Sequence, residues 1–176
     1  RRPKDLWSPF RPALADGFSG RCGYAAMYDP VGSVDHYRSV RRAPELAYEW
    51  SNLRFVAEWI NKSKQNVDDA VLDPYEVQDG WFELSLPDLQ LRVTERVPAK
   101  QRARAEHTLT RLHLRDDERV LRQRRAWYAM YQGGKLTLEG LDQVAPLIAA
   151  AIRRASPPRR TKPAPRRRRP RSNARR

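Results

Sequence analysis

The sequence predicts an α+β protein: a short β-hairpin leading into a helix, then a mainly helical extension and a basic tail. Three observations carry this. Two short runs, Cys22–Tyr28 and Ser33–Tyr37, flank the turn-forming Asp29-Pro30-Val31-Gly32 and read as paired strands. Leu53, Val56, Trp59 and Ile60 then recur at helical spacing. From Lys100 the chain reads as helix in three stretches, and Pro and Arg dominate after Ser156.

Taken in order, residues 1–21 hold Pro3, Pro9, Pro12, Gly17 and Gly20 and read as a lead-in with at most one helical turn. Residues 22–75 form the hairpin and a helix across 54–66, joined by a loop over 38–51. Residues 76–155 are the mainly helical extension. It opens with strand signals at Trp81–Leu84 and Leu89–Val93. Helices follow over Lys100–Leu114 and Asp117–Tyr131. Val120, Arg124, Trp127 and Tyr131 share one face of the second, with the Arg124 stem lying along it, and Gly133-Gly134 stops it. A last helix spans Leu138–Arg154, broken or kinked near Pro146. Residues 156–176 are too rich in Pro and Arg to pack and read as a disordered tail.

Composition narrows the partners. The net charge is +14, yet Arg153–Arg176 supplies twelve cations and no acid, which leaves the rest of the chain at +2. A tail of one sign calls for a polyanion, nucleic acid foremost; a solvated basic tail is the alternative. The single cysteine, Cys22, rules out an intrachain disulfide and a four-cysteine zinc site. It suits a reducing, cytoplasmic setting. No apolar run approaches the ~20 residues of a membrane span, so no membrane partner is expected. Residues 141–152 come nearest and are interrupted by Pro146. The chain opens at Arg1 rather than Met, which leaves room for an upstream segment. Gly133-Gly134-Lys135 lacks the spacing of a phosphate-binding loop, so the chain carries no ATP site of that kind.

The chemistry gathers in Asp35-His36, then Asn52, then Asn61-x-x-Lys64. A histidine can serve as general base near neutral pH, and a carboxylate suits a hard divalent ion. Each residue also has an ordinary use: a polar surface dipeptide, a helix cap at Asn52, a polar helix end at Asn61 and Lys64. His107 and His113 stand six apart on predicted helix, the wrong spacing for a metal pair.

With Cys22-Gly23-Tyr24 and Trp50-Ser51-Asn52-Leu53 around it, the pattern resembles the HNH endonuclease family over roughly residues 18–75. The resemblance implies a ββα-metal core in which His36 activates water and Asn52 orients His36. Asp35 and Asn61 would hold Mg²⁺ or Mn²⁺, and Lys64 would touch a phosphate. Relatives of this kind carry two Cys-x-x-Cys pairs around a structural zinc. Here Cys22 remains and Ala25, Ala57 and Ile60 stand in the other three places, so no structural zinc is expected. Val71-Leu72-Asp73-Pro74 and Gly80-Trp81-Phe82 look like a bacterial subset of the family, some of which act beside an ATPase partner in defence against phage. The expected function is metal-dependent hydrolysis of DNA, with RNA as the other polymer the tail would accept. Arg159, Arg160, Arg166, Arg167, Arg168 and Arg169 would add affinity for phosphates. The competing reading is a non-catalytic nucleic-acid-binding or ribonucleoprotein subunit on a degenerate nuclease scaffold.

Overall fold

The computed structural model describes residues 4–156. The chain is a mixed α/β protein with two small antiparallel sheets of two strands each. The lead-in is more ordered than its prolines suggest. The Asp5 carboxylate accepts from Ser8 N at 3.0 Å and Ser8 Oγ at 2.6 Å, fixing a 3-10 turn over Ser8–Phe10. That turn runs straight into α1 (Arg11–Gly17), a two-turn helix with a proline in its first turn, where the missing N–H costs nothing. Its one buried side chain, Leu14, packs with Leu53 and Phe55.

Cys22–Tyr28 is not a strand. Only an isolated Arg21–Tyr28 bridge has strand geometry, and the segment curls around its own cysteine. Cys22 Sγ accepts N–H groups from Ala25 at 3.5 Å and Ala57 at 3.3 Å. The strand expected from Ser33 is present as β1 (Ser33–His36), but its partner is β2 (Leu53–Val56), in antiparallel register with Ser33 opposite Val56 and His36 opposite Leu53. The helix expected from residue 54 therefore starts later, as α2 (Glu58–Lys64). All four β2 residues are buried. A short run buried on both faces has no alternation, so its spacing is as compatible with helix as with strand.

The extension follows the sequence more closely. β3 (Phe82–Leu84) pairs with β4 (Leu91–Val93), and α3 (Ala99–Arg111) and α4 (Glu118–Gln132) follow. Asp117 caps α4, accepting from Arg119 N at 2.9 Å, and Gly133 ends it. The last helix is two, α5 (Leu138–Val144) and α6 (Pro146–Ala155), split at Ala145 by the proline that follows. Arg124 does more than lay its stem on the α4 face: it is fully buried. Its guanidinium donates to the carbonyls of Leu114 at 2.7 Å, Arg115 at 3.0 Å and Leu89 at 2.9 Å, and burial pushes its pKa down to about 10.

One hydrophobic cluster runs from Cys22, Tyr37, Val56 and Ile60 to Leu84, Leu109, Val120 and Ile148. The division drawn at residue 75 thus falls inside a shared core. Among the described residues no helix is long and apolar enough to cross a membrane.

Candidate functional site

β1 sets the geometry. Successive strand residues face opposite ways, so Asp35 turns inward and is 3% exposed while His36 faces the other side, half-buried. His36 Nε2 lies 2.8 Å from the Ala47 carbonyl oxygen. A carbonyl only accepts, so Nε2 carries the proton and Nδ1 keeps its lone pair. Burial pushes the His36 pKa below the usual value, keeping the ring neutral at pH 7. The Trp7 ring stands nearly perpendicular to the imidazole, 84° between planes and 4.5 Å between centroids.

Asn52, predicted to orient His36, makes no hydrogen bond to it. Its side chain closes the loop between β1 and β2 instead. Oδ1 accepts from Arg38 N at 2.8 Å, and Nδ2 donates to the carbonyls of Arg38 at 3.0 Å and Leu46 at 3.2 Å. Leu46 precedes Ala47, whose carbonyl holds the imidazole. Asn52 therefore acts on His36 through one turn of backbone.

Lys64, predicted to meet a phosphate, stands where it cannot. It is 0% exposed, and Nζ donates to Asp35 Oδ1 at 3.1 Å and to the carbonyls of His36 at 2.8 Å and Tyr37 at 3.0 Å. All three ammonium hydrogens are spent inside the protein, tying α2 to the end of β1. Asp35 Oδ2 is buried with no partner. Burial pushes the Asp35 carboxyl above the usual range, with Lys64 opposing the shift. The Tyr24 hydroxyl is likewise buried and unpartnered, and burial together with the Asp35 charge pushes its pKa up.

Asn61 faces β1 from α2. Its Nδ2 donates to Ser33 Oγ at 3.1 Å and to the Val34 carbonyl at 3.2 Å, while Oδ1 accepts no hydrogen bond from the described residues. Asp35, His36 and Asn61 line one cleft of about 770 Å³ together with Trp7, Arg41 and Gln65. Asp35 Oδ2 and Asn61 Oδ1 are hard oxygens without partners among the described residues, the donor type that a divalent ion such as Mg²⁺ or Mn²⁺ takes. They are fewer than a self-sufficient cage: no three His, Cys, Asp or Glu side chains gather as a metal group among the described residues.

The four positions singled out in the sequence by the resemblance to zinc-bearing HNH proteins lie in the same core. Cys22, Ala25, Ala57 and Ile60 are all buried in the main core, with Cys22 Sγ receiving two backbone N–H groups. The tail arginines Arg159, Arg160, Arg166, Arg167, Arg168 and Arg169 lie outside the described residues. Sequence reasoning missed Trp7 and Arg41, which reach the cleft from the lead-in and the loop. It also missed the Ala47 carbonyl, which acts through backbone and leaves no mark in side-chain identity.

Comparison with protein-family models, with curated proteins and with solved structures finds no match for this chain.

Proposed function

We propose that this protein is a metal-dependent endonuclease of the HNH type, with β1, β2 and α2 as its ββα-metal core and DNA as its substrate. One observation carries the reading: His36, Asp35 and Asn61, from a strand and the helix packed on it, line a single cleft. The four positions that the resemblance assigns to a structural zinc are buried in one core, here as one cysteine and apolar packing.

In this reading Nδ1 of His36 removes a proton from the attacking water. The Ala47 carbonyl holds the ring in the tautomer that makes Nδ1 the base. Asn52 keeps the Ala47 turn in place, and Lys64 keeps β1 and α2 in register. Asp35 Oδ2 and Asn61 Oδ1 are the atoms that would hold the ion. When bound, it would neutralise charge on the scissile phosphate. As the P–O bond to the leaving oxygen breaks, that alkoxide takes a proton from solvent, and the imidazolium formed on His36 returns its own proton to solvent.

A second reading has its own observation. The Lys64 ammonium already neutralises Asp35, as in a scaffold that keeps a buried ion pair and only binds nucleic acid. Cleavage of supercoiled plasmid with Mg²⁺ or Mn²⁺ separates the two. In the nuclease reading, His36→Ala lowers nicking by about 10²–10⁴-fold while binding persists. A wild-type protein that binds plasmid and nicks it with neither ion overturns the first reading in favour of the second.

A further inference from the structure

Beside the cleft lies a cluster of aromatic side chains that the fold leaves in solvent. Phe10, Tyr48 and Trp50 are each about half exposed, at 56%, 52% and 48%. With Leu6 and Trp7 they surround a hollow of about 140 Å³ floored by Leu53. Trp7 lines both this hollow and the cleft, with His36 at 4.5 Å and the Tyr48 ring at 5.9 Å. The surface is therefore continuous with the candidate catalytic wall.

The cluster is held in place. The Asp5 carboxylate caps the turn that carries Trp7 and Phe10. The Tyr48 hydroxyl donates to the Lys4 carbonyl at 2.9 Å, joining the lead-in to the loop. Asn52 anchors the far end of that loop. Rings carried on backbone that is already tied down lose less entropy when something flat stacks on them than rings on a free segment.

We propose that this surface is a base-stacking subsite, and that nucleic acid enters the cleft with unpaired bases, as a single strand. Three observations favour a nucleic acid. The exposed groups are predominantly aromatic, and aromatic rings stack on any base, whereas a duplex keeps its bases inside. The loop leading to Tyr48 carries exposed Arg38, Arg41 and Arg42, with Arg41 on the cleft itself. The surface also ends at the residues proposed to cut a phosphodiester. Glu45 and Glu49 are exposed on the same loop and oppose the attraction, so the strand is expected to pass by Arg41, the arginine on the cleft. The destination of the strand rests on the nuclease reading; the stacking does not.

The test therefore measures binding in chelator, where no cleavage occurs and the outcome is independent of catalysis. Fluorescein-labelled oligothymidylate, an abasic strand of the same length and a duplex are titrated with the full chain, wild type, Trp50→Ala and Trp50→Phe. The subsite predicts that oligothymidylate binds more tightly than the abasic strand. It also predicts that Trp50→Ala weakens oligothymidylate binding about 5- to 100-fold while leaving abasic binding alone. Trp50→Phe keeps a ring and stays near wild type. Should Trp50→Ala lose its fold by circular dichroism, Phe10→Ala takes its place. Equal affinity for the abasic strand, or no loss in the alanine variant, overturns the proposal and leaves phosphate attraction alone. Self-association of wild type that disappears in Trp50→Ala, with unchanged DNA binding, overturns it in favour of a protein interface.

Discussion

Replacing Lys64 with Met keeps the buried stem and deletes the ammonium. In the native fold that group donates to Asp35 Oδ1 at 3.1 Å, the His36 carbonyl at 2.8 Å and the Tyr37 carbonyl at 3.0 Å, from a side chain with 0% exposure. The variant strands a buried carboxylate and two carbonyls. Removing one partner of such a pair costs about 3–5 kcal/mol, a large share of the roughly 5–15 kcal/mol that holds a domain together. At about 2–4 °C per kcal/mol for a chain of this size, the melting point falls by about 6–20 °C. Thermal and urea unfolding followed by circular dichroism, in chelator, read this directly.

The loss has a pH signature. Burial already raises the Asp35 pKa above its unfolded value of 3.8. A carboxyl raised by folding adds stability below its unfolded pKa and loses that contribution as pH rises through the folded one. Without Lys64 the folded value climbs further, so the penalty of Lys64→Met is largest at neutral pH and shrinks toward about pH 4. Adding Asp35→Asn removes the stranded charge and recovers about 0.5–3 kcal/mol as a coupling term. The opposite pattern would refute the reasoning: an unchanged melting point with a salt slope of DNA binding reduced by about one, as an exposed phosphate contact gives.

Other outcomes follow from the same geometry. In the nuclease reading, removing residues 157–176, which deletes ten Arg or Lys, lowers the salt slope of duplex binding by about 0.9 for each phosphate they neutralise and leaves nicking intact; unchanged binding at low salt would sink the tail's role. Cys22 is 2% exposed and burial raises its thiol pKa, so a disulfide reagent such as Ellman's compound reacts only once denaturant is added. A rapid reaction in native buffer would contradict that packing. Gly32→Ala places a Cβ 2.4 Å from the tip of the Phe55 ring, where β1 approaches β2. The fold loses about 1–3 kcal/mol in urea titration, and no loss would mean that the strand pair is looser than described.

The readable parts of this chain are those whose signals are local. β3, β4, α3 and α4 carry alternation, helical spacing, the Asp117 cap and the Gly133 stop within their own residues, and they form close to where those signals place them. Ser33–His36 is a strand for the same reason, which puts Asp35 and His36 on opposite faces. β2 is not readable, because burial on both sides erases its periodicity and its pairing with β1 spans the whole loop. Nor are the buried cations. Lys64 and Arg124 look like solvated surface in sequence. They go inside because other parts of the chain bring a buried carboxylate and free loop or strand-end carbonyls within reach of their donors.

The sequence by itself determined the residue types at the site, the helical extension and the concentration of charge in the tail, since composition and local spacing suffice for these. The tertiary structure alone decided that Leu53–Val56 pairs with β1, and that Lys64 closes on Asp35 and leaves the cleft to Asp35, His36 and Asn61. It also decided that Trp7 of the lead-in stands against the imidazole. Each of these is a contact across many residues of chain. Such contacts are selected by which surfaces can be buried together with most polar groups satisfied, a condition that no local window contains.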